Sequence, residues 1–190
     1  MGRLAHRRSG KAAVILLGSL FGLLCGAPAA RAQDTAVEYA VKATYLYKFV
    51  PFVQWPAAAF AAPDSPVILC VVGGGGFSEV LARAVSGETI EGRPVLSRSL
   101  PAVAADSGCH VLYTAGSATQ SVAQGLAAVQ GRPVLTVTES LPAAGTKGIV
   151  NFVLADNRVR FEIDNQAAAE NGLLISSKLL SLAVAVKPRS

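Results

Sequence analysis

Strand-like and helix-like runs alternate between residues 67 and 138, and this alternation restricts the fold more than any other feature of the chain. Val67 to Val72 is an uninterrupted apolar run rich in β-branched residues, which is typical of a strand buried on both faces. A glycine turn follows, and then a helical pattern from Phe77 to Val85. Because strands separated by helices pair in parallel through right-handed crossovers, the sequence predicts an α/β fold.

Three further strand-like runs follow this first unit. They are Pro94 to Leu100, which reads as an edge strand, then Cys109 to Thr114 and Val134 to Thr138. Ser117 and Gln120 fit a capping box that would begin a helix between the last two runs. The middle of the chain is therefore predicted to build one mostly parallel sheet.

The C-terminal part has a different pattern. Ile149 to Ala155 and Val159 to Ile163 flank the turn sequence Asp156-Asn157-Arg158, which predicts an antiparallel β-hairpin. A short helix from Asn165 to Glu170, an extended piece and a last helix through Leu182 follow. We therefore expect a three-layer α/β sandwich with a mixed, mostly parallel central sheet and a C-terminal antiparallel hairpin.

The first 32 residues have the three parts of a secretory signal peptide. A basic segment is followed by an apolar run from Ala12 to Leu24 and by the A-x-A cleavage signal Ala30-Arg31-Ala32. The apolar run holds about thirteen residues, whereas a membrane-spanning helix needs about 20. We predict that residues 1–32 are cleaved and that residues 33–190 form a single exported, periplasmic domain.

Removal of this segment changes the charge of the chain. Lys+Arg falls from 17 to 12, against 12 for Asp+Glu, so the net charge of +5 disappears. A basic chain would indicate nucleic acid or anionic lipid as a partner, but here the excess charge belongs to the export signal. The remaining domain gives no reason to expect nucleic-acid binding.

Two of the three cysteines, Cys70 and Cys109, remain after cleavage, and both lie in strand-like runs. In an oxidising compartment such a pair favours a disulfide, which would remove about 4 kcal/mol of unfolded-state entropy. The alternative is two buried free thiols, because a bridge requires the Cα atoms to lie within about 7 Å.

Aromatic residues crowd the first predicted helix, Val37 to Val50, and the segment after it. Thr35 and Glu38 fit a capping box for this helix, and Glu38 is spaced to pair with Lys42. One helix face cannot bury all the aromatic side chains. Most are expected in the core, while Tyr47, Phe52 and Trp55 are candidates for a partner or dimer surface.

The residues needed for catalysis or metal binding are not grouped in the sequence. His110 is the only histidine after the signal segment, and no G-x-S-x-G elbow or zinc-ligand spacing occurs. The Gly73 to Gly76 turn only partly matches a dinucleotide fingerprint, since Ser78 stands at the third glycine position. We therefore expect no catalytic residues, no metal and no cofactor.

Several short motifs together resemble the YfiR family of periplasmic proteins over about residues 36–184. The motifs are the K-A-x-Y-L-Y-K-F segment at residues 42–49 with Phe52 and Trp55-Pro56, the strand and turn at Leu69 to Gly74, Gly148 to Phe152, Val159 to Ile163, and Gly172 to Ala183. Each motif is short, but their order and spacing are specific.

This resemblance implies a small, often dimeric periplasmic protein that binds the periplasmic domain of an inner-membrane diguanylate cyclase and represses it. It also implies lower cyclic di-GMP, less biofilm, and sequestration of the repressor by an outer-membrane lipoprotein. Cys70 and Cys109 match one of the family's two cysteine pairs, whereas the second pair, expected before Gly148, is missing. The resemblance therefore does not extend to disulfide-linked regulation through two pairs in this chain.

Two other functions are open at this stage. A periplasmic small-molecule binding protein would use the crevice at the carboxyl ends of the parallel strands. An enzyme, such as a hydrolase, would need a group of acidic residues with perturbed pKa values, for instance around Glu88 or Glu162.

Overall fold

A computed structural model describes Gly2 and residues 27–139 and 145–189. Most of the predicted signal peptide, residues 1–32, lies outside these residues, so its cleavage and the domain boundary at residue 33 stay predictions. The helices are α1 (Ala27–Phe49), α2 (Phe77–Ala84), α3 (Val122–Ala128), α4 (Asn165–Glu170) and α5 (Ser177–Leu180). The strands are β1 (Val53–Gln54), β2 (Val67–Gly73), β3 (Thr89–Ile90), β4 (Arg93–Leu100), β5 (Val111–Gly116), β6 (Leu135–Glu139), β7 (Val150–Ala155), β8 (Arg158–Asp164), β9 (Leu174–Ile175) and β10 (Ala185–Lys187).

Eight strands form one mixed sheet in the order β10-β8-β7-β6-β5-β2-β4-β3. The pairs from β4 through β2, β5 and β6 to β7 are parallel, as is β10 with β8, while β7-β8 and β3-β4 are antiparallel. Strands β1 and β9 form a separate antiparallel pair. The predicted α/β fold with a mostly parallel sheet and a hairpin is confirmed.

Apolar side chains are buried on both faces of the sheet, which makes the sandwich three layers thick. On one face, Leu46 and Phe49 of α1 pack with Leu81 of α2 over the centre of the sheet. On the other face, a smaller cluster joins Cys70 and Leu112 to the residues that end α3. Successive side chains of β2 point to opposite faces of the sheet, so this strand contributes residues to both clusters.

Helix α1 begins earlier than the sequence predicts. The expected start near Val37, with Thr35 and Glu38 as a capping box, is wrong, because the helix already begins at Ala27 and passes through residue 35. Residues 27–32 are rich in alanine, which has the highest helix propensity, and this favours the extension. Glu38 instead pairs with Lys42 one turn later, as its spacing predicts.

The capping box of α3 also lies elsewhere. The predicted pair Ser117 and Gln120 is wrong: Ser121 is the N-cap, and it exchanges hydrogen bonds with Gln124. The Ser117 hydroxyl oxygen accepts from backbone N–H groups in the turn before the helix. The side chain of Gln120 bonds both backbone groups of Val103, so it anchors the preceding loop rather than the helix.

The C-terminal third confirms the hairpin and adds one strand. Asp156 and Asn157 have φ values of 51° and 55°, as a two-residue hairpin turn requires. Asp164 caps α4 by accepting from the Ala167 N–H, and Ser176 caps α5, which ends at Leu180 rather than Leu182. The sequence did not predict β10, because this three-residue strand is exposed throughout and has no buried face to mark it.

Candidate docking cleft

A cleft of about 660 Å³ opens beside the segment that connects α1 to β2. Val53 and Val67 line its apolar part, Trp55 and Phe60 contribute aromatic surface, and the β3–β4 turn lines the cleft with Ile90, Glu91 and Arg93. The cleft therefore combines apolar, aromatic and charged groups, which is the composition of a recognition site.

The connecting segment is shaped by prolines and by a short strand pair. Pro51 lies in a one-turn 3-10 helix that follows α1, and Pro56 precedes a second such turn at Ala57–Ala59. Between them, β1 pairs with β9, which fixes the segment to the C-terminal part of the chain. Because proline cannot continue a helix, the chain leaves α1 here and borders the cleft.

Trp55 is the most informative side chain in the cleft. Its ring packs edge-to-face against Phe60 with centroids 6.5 Å apart. Its indole Nε1 is buried and has no hydrogen-bond acceptor among the described residues. A buried donor without an acceptor is uncommon in a folded protein and carries a free-energy cost of about 1–3 kcal/mol.

The other predicted surface aromatics do not line this cleft. Tyr47 is half-buried on α1 with the Lys48 ammonium 4.7 Å from its ring centre, and Phe52 is half-buried with the Lys178 ammonium 5.6 Å from its ring centre. Both pack against the main core. The structure thus brings Trp55 into the cleft and leaves Tyr47 and Phe52 beside it, and their role as a partner surface stays a prediction.

Phe60 lies between two nitrogen-containing groups. The Arg93 guanidinium carbon is 4.0 Å from its ring centre on one side, and the His110 ring stacks on it with centroids 4.4 Å apart. Arg93 also donates to the carbonyl oxygens of Ala62 and Ser65, at 3.0 and 2.9 Å. Arg93 and His110 together hold the wall of the cleft against the sheet.

His110 is buried, with 8% of its surface exposed, and lies just before β5. Its Nδ1 accepts from the Ile68 N–H at 3.1 Å, and its Nε2 lies 3.0 Å from the Ala59 carbonyl oxygen. This pattern requires the neutral ring with the proton on Nε2. Burial lowers the pKa of His110 below its ordinary value, the Ala59 hydrogen bond opposes this, and the Arg93 and Arg98 cations add to the lowering.

Cys70 and Cys109 are joined by a disulfide whose Cα atoms lie 5.7 Å apart. Cys70 is in the middle of β2, but the prediction that Cys109 lies in a strand is wrong, because β5 begins two residues later. Cys109 ends the loop that crosses the second face of the sheet, and both cysteines belong to the small core cluster there. The disulfide thus fixes this loop next to His110.

A buried ionic cluster, which the sequence did not predict as a unit, joins α1 to the end of β6. The Lys42 ammonium contacts the Glu38 carboxylate and lies 2.7 Å from that of Glu139, which also accepts a hydrogen bond from the Tyr113 hydroxyl. Burial alone would lower the pKa of Lys42, but Glu139 and Glu38 raise it above 10.5. Burial and the neighbouring Glu139 charge also raise the pKa of Tyr113, which keeps its proton as a donor.

The glycine turn after β2 serves close packing. Gly73 has φ = +75°, and a Cβ atom there would overlap with the carbonyl oxygen of Gly116 at the end of β5. The two strands therefore approach each other so closely at this point that only glycine fits at residue 73. Within the described residues, no group of three or more histidine, cysteine or acidic side chains is placed to hold a metal ion.

A second groove of about 540 Å³ lies between α1 and the hairpin, lined by Val41, Tyr45, Leu154, Arg158 and others. Leu154 is 64% exposed at the hairpin end.

Within the described part of the chain, no helix is both long and apolar enough to cross a membrane.

The fold and these surfaces define a class of protein: a mixed α/β protein whose described residues offer two clefts, one of them bordered by an aromatic wall. Comparison with family models identifies the class more closely. The chain belongs to the YfiR/HmsC-like family, whose model matches residues 39–184, and this confirms the resemblance seen in the sequence. The family is regulatory rather than catalytic. A comparison with curated proteins gave no significant match.

Proposed function

We propose that this chain is a periplasmic regulator that binds the periplasmic domain of a membrane-anchored diguanylate cyclase and represses it, which lowers cyclic di-GMP and biofilm formation. The observation that carries the proposal is the family match over residues 39–184. The predicted export signal supports it, since an exported protein reaches a cytoplasmic cyclase active site only through a partner that crosses the membrane. Docking also requires a surface rather than a nucleophile.

The cleft beside Trp55 is the binding face in this proposal. The Trp55 ring and that of Phe60 give this cleft an aromatic wall, which suits an apolar side chain of the partner. Tryptophan residues that lie in such clefts commonly contribute much of the free energy of an interface. Glu91 and Arg93 at the same cleft offer charged groups for pairing with the partner.

Trp55→Ala and Glu91→Lys are expected to lower crosslinking of the protein to its cyclase at least about tenfold, as loss of an interface anchor does. The measurement is co-purification of the cyclase with crosslinked protein from membranes, quantified by mass spectrometry. Leu154→Ala is the matched control, because it removes an exposed apolar side chain from the second groove and is expected to leave crosslinking unchanged.

Thermal melting of each variant shows that it is folded, and Glu91→Lys changes an exposed residue outside the core. Loss of crosslinking in Leu154→Ala, with Trp55→Ala and Glu91→Lys unaffected, would place the binding face at the hairpin groove instead. Association with an outer-membrane lipoprotein or with a second copy of the chain would be detected in the same experiment as additional crosslinked products.

A periplasmic small-molecule binding protein is the second candidate, because a cleft of about 660 Å³ has the volume of a ligand site. One observation distinguishes the small-molecule binding protein from the cyclase regulator. A bound small molecule that is released on denaturation, in the absence of any crosslinked cyclase, would favour the binding protein.

A further inference from the structure

His110 joins the cleft wall to β2 through its two ring nitrogens, and the bond to β2 requires a neutral imidazole. Nδ1 accepts from the Ile68 N–H, and Nε2 donates to the Ala59 carbonyl oxygen. A protonated ring carries N–H groups on both nitrogens, so Nδ1–H would face the Ile68 N–H, donor against donor. Protonation at this position therefore removes one hydrogen bond and leaves a buried cation in its place.

The backbone of His110 leaves the ring little freedom to adapt. Its N–H donates to the Ile68 carbonyl oxygen at 2.9 Å, and its carbonyl oxygen accepts from the Leu135 N–H at 2.9 Å. The preceding residue, Cys109, is held by the disulfide. Because the main chain is fixed on both sides, a protonated ring relieves the conflict by rotating its side chain away from Ile68 and Phe60.

The charges around His110 do not stabilise its protonated form. The charged groups that act on it are Arg93 and Arg98, both cations on β4, and no carboxylate of the described residues is bonded to the ring. Phe60 could attract a cation through its face, but the opposite face is already occupied by Arg93 at 4.0 Å.

We propose that His110 is an acid-sensitive latch: its protonation releases residues 57–60 of the cleft wall, while Arg93 keeps its bonds to Ala62 and Ser65 and the sheet and the disulfide stay intact. The released wall includes Phe60, which loses its stack on His110 and its contact with Trp55. Acid thereby changes the shape of the cleft. An effect on the cyclase rests on the function proposed above, whereas the latch itself does not.

The direction of the pH dependence follows from linkage. An exposed ring in the released state titrates near its ordinary value of 6.5, and burial keeps the pKa of the latched ring lower. Protons therefore bind the released state more tightly, so release grows as the pH falls below about 6.5 and reaches its limit below the pKa of the latched ring.

Two local measurements on the exported protein detect the release of the wall. Trp55 is the only tryptophan of the chain, and its ring contacts Phe60, so its fluorescence follows the wall directly. Hydrogen exchange of the peptide covering residues 57–68 follows the same wall and includes the Ile68 amide. Between pH 8 and pH 5 we expect exchange of this peptide, corrected for its intrinsic rate, to become severalfold faster, with peptides from β5 and β6 unchanged.

His110→Asn is the matched variant, because its side-chain oxygen replaces Nδ1 as acceptor for the Ile68 N–H and does not titrate. It is expected to show no transition. The proposal is overturned if the wild type shows no transition or if the transition persists in His110→Asn.

Discussion

Replacing Cys70 and Cys109 together with alanine is expected to lower the free energy of unfolding by about 4 kcal/mol, which is a large share of the stability of a small domain. The disulfide joins residues 39 positions apart, so its loss restores the conformational entropy of a long loop to the unfolded chain. For a domain of this size, about 4 kcal/mol corresponds to a melting temperature lower by about 10 °C. Urea unfolding of the purified variant measures the loss.

The wild-type protein treated with a reductant is the control for this substitution. If the effect comes from the bridge, the reduced protein and the double variant lose stability to the same extent, and the single variant Cys70→Ala matches them. A double variant within about 1 kcal/mol of the oxidised wild type would contradict the assignment of the bridge as a structural element of the exported protein.

Lys42→Met is expected to cost about 3 kcal/mol of stability, because it leaves two carboxylates without their cation at a buried position. The Lys42 side chain is 4% exposed and those of Glu38 and Glu139 are 29% and 24% exposed, so partial access of water limits the loss. Methionine keeps the length of the aliphatic chain and removes the charge, which separates the electrostatic effect from packing.

Lys147→Met provides a control with the same geometry. The Lys147 ammonium lies 2.7 Å from the Glu162 carboxylate, the same distance as in the Lys42–Glu139 pair, but the Lys147 side chain is 55% exposed. Exposed ion pairs contribute about 0–1 kcal/mol, so chemical denaturation should show a clearly smaller loss for Lys147→Met. Equal losses in the two variants would mean that burial does not determine the strength of this pair.

The parts of the fold that the sequence predicts are those with a strong local pattern. The buried run that forms β2, the hairpin around Asp156 and Asn157, and the Glu38–Lys42 spacing can each be read within a few residues of the chain. The start of α1 differs from the prediction because the alanine-rich residues before it extend the helix, and the N-cap of α3 differs because several residues with suitable side chains compete for that position. Ser117 has the right residue type for a cap, but its hydroxyl group serves the turn instead.

The features that the sequence does not predict depend on long-range contacts. Glu139 reaches Lys42 across 97 positions of the chain, and nothing in the sequence marks that pairing. The same holds for His110. Its isolated position in the sequence does not predict that its ring accepts a hydrogen bond from the Ile68 N–H or that it stacks on Phe60. Trp55 was predicted as a surface candidate from its crowding with other aromatics, but only the structure separates its place in the cleft from the positions of Tyr47 and Phe52.

Repression of a membrane-anchored cyclase from the periplasm is the central claim, and it is tested most directly by measuring cyclic di-GMP in a strain from which the gene is deleted. We expect that cyclic di-GMP and surface attachment rise in the deletion strain, that the exported protein reverses both changes, and that the same chain without residues 1–32 does not. Unchanged cyclic di-GMP in the deletion strain, or full reversal by the form that is not exported, would contradict the claim.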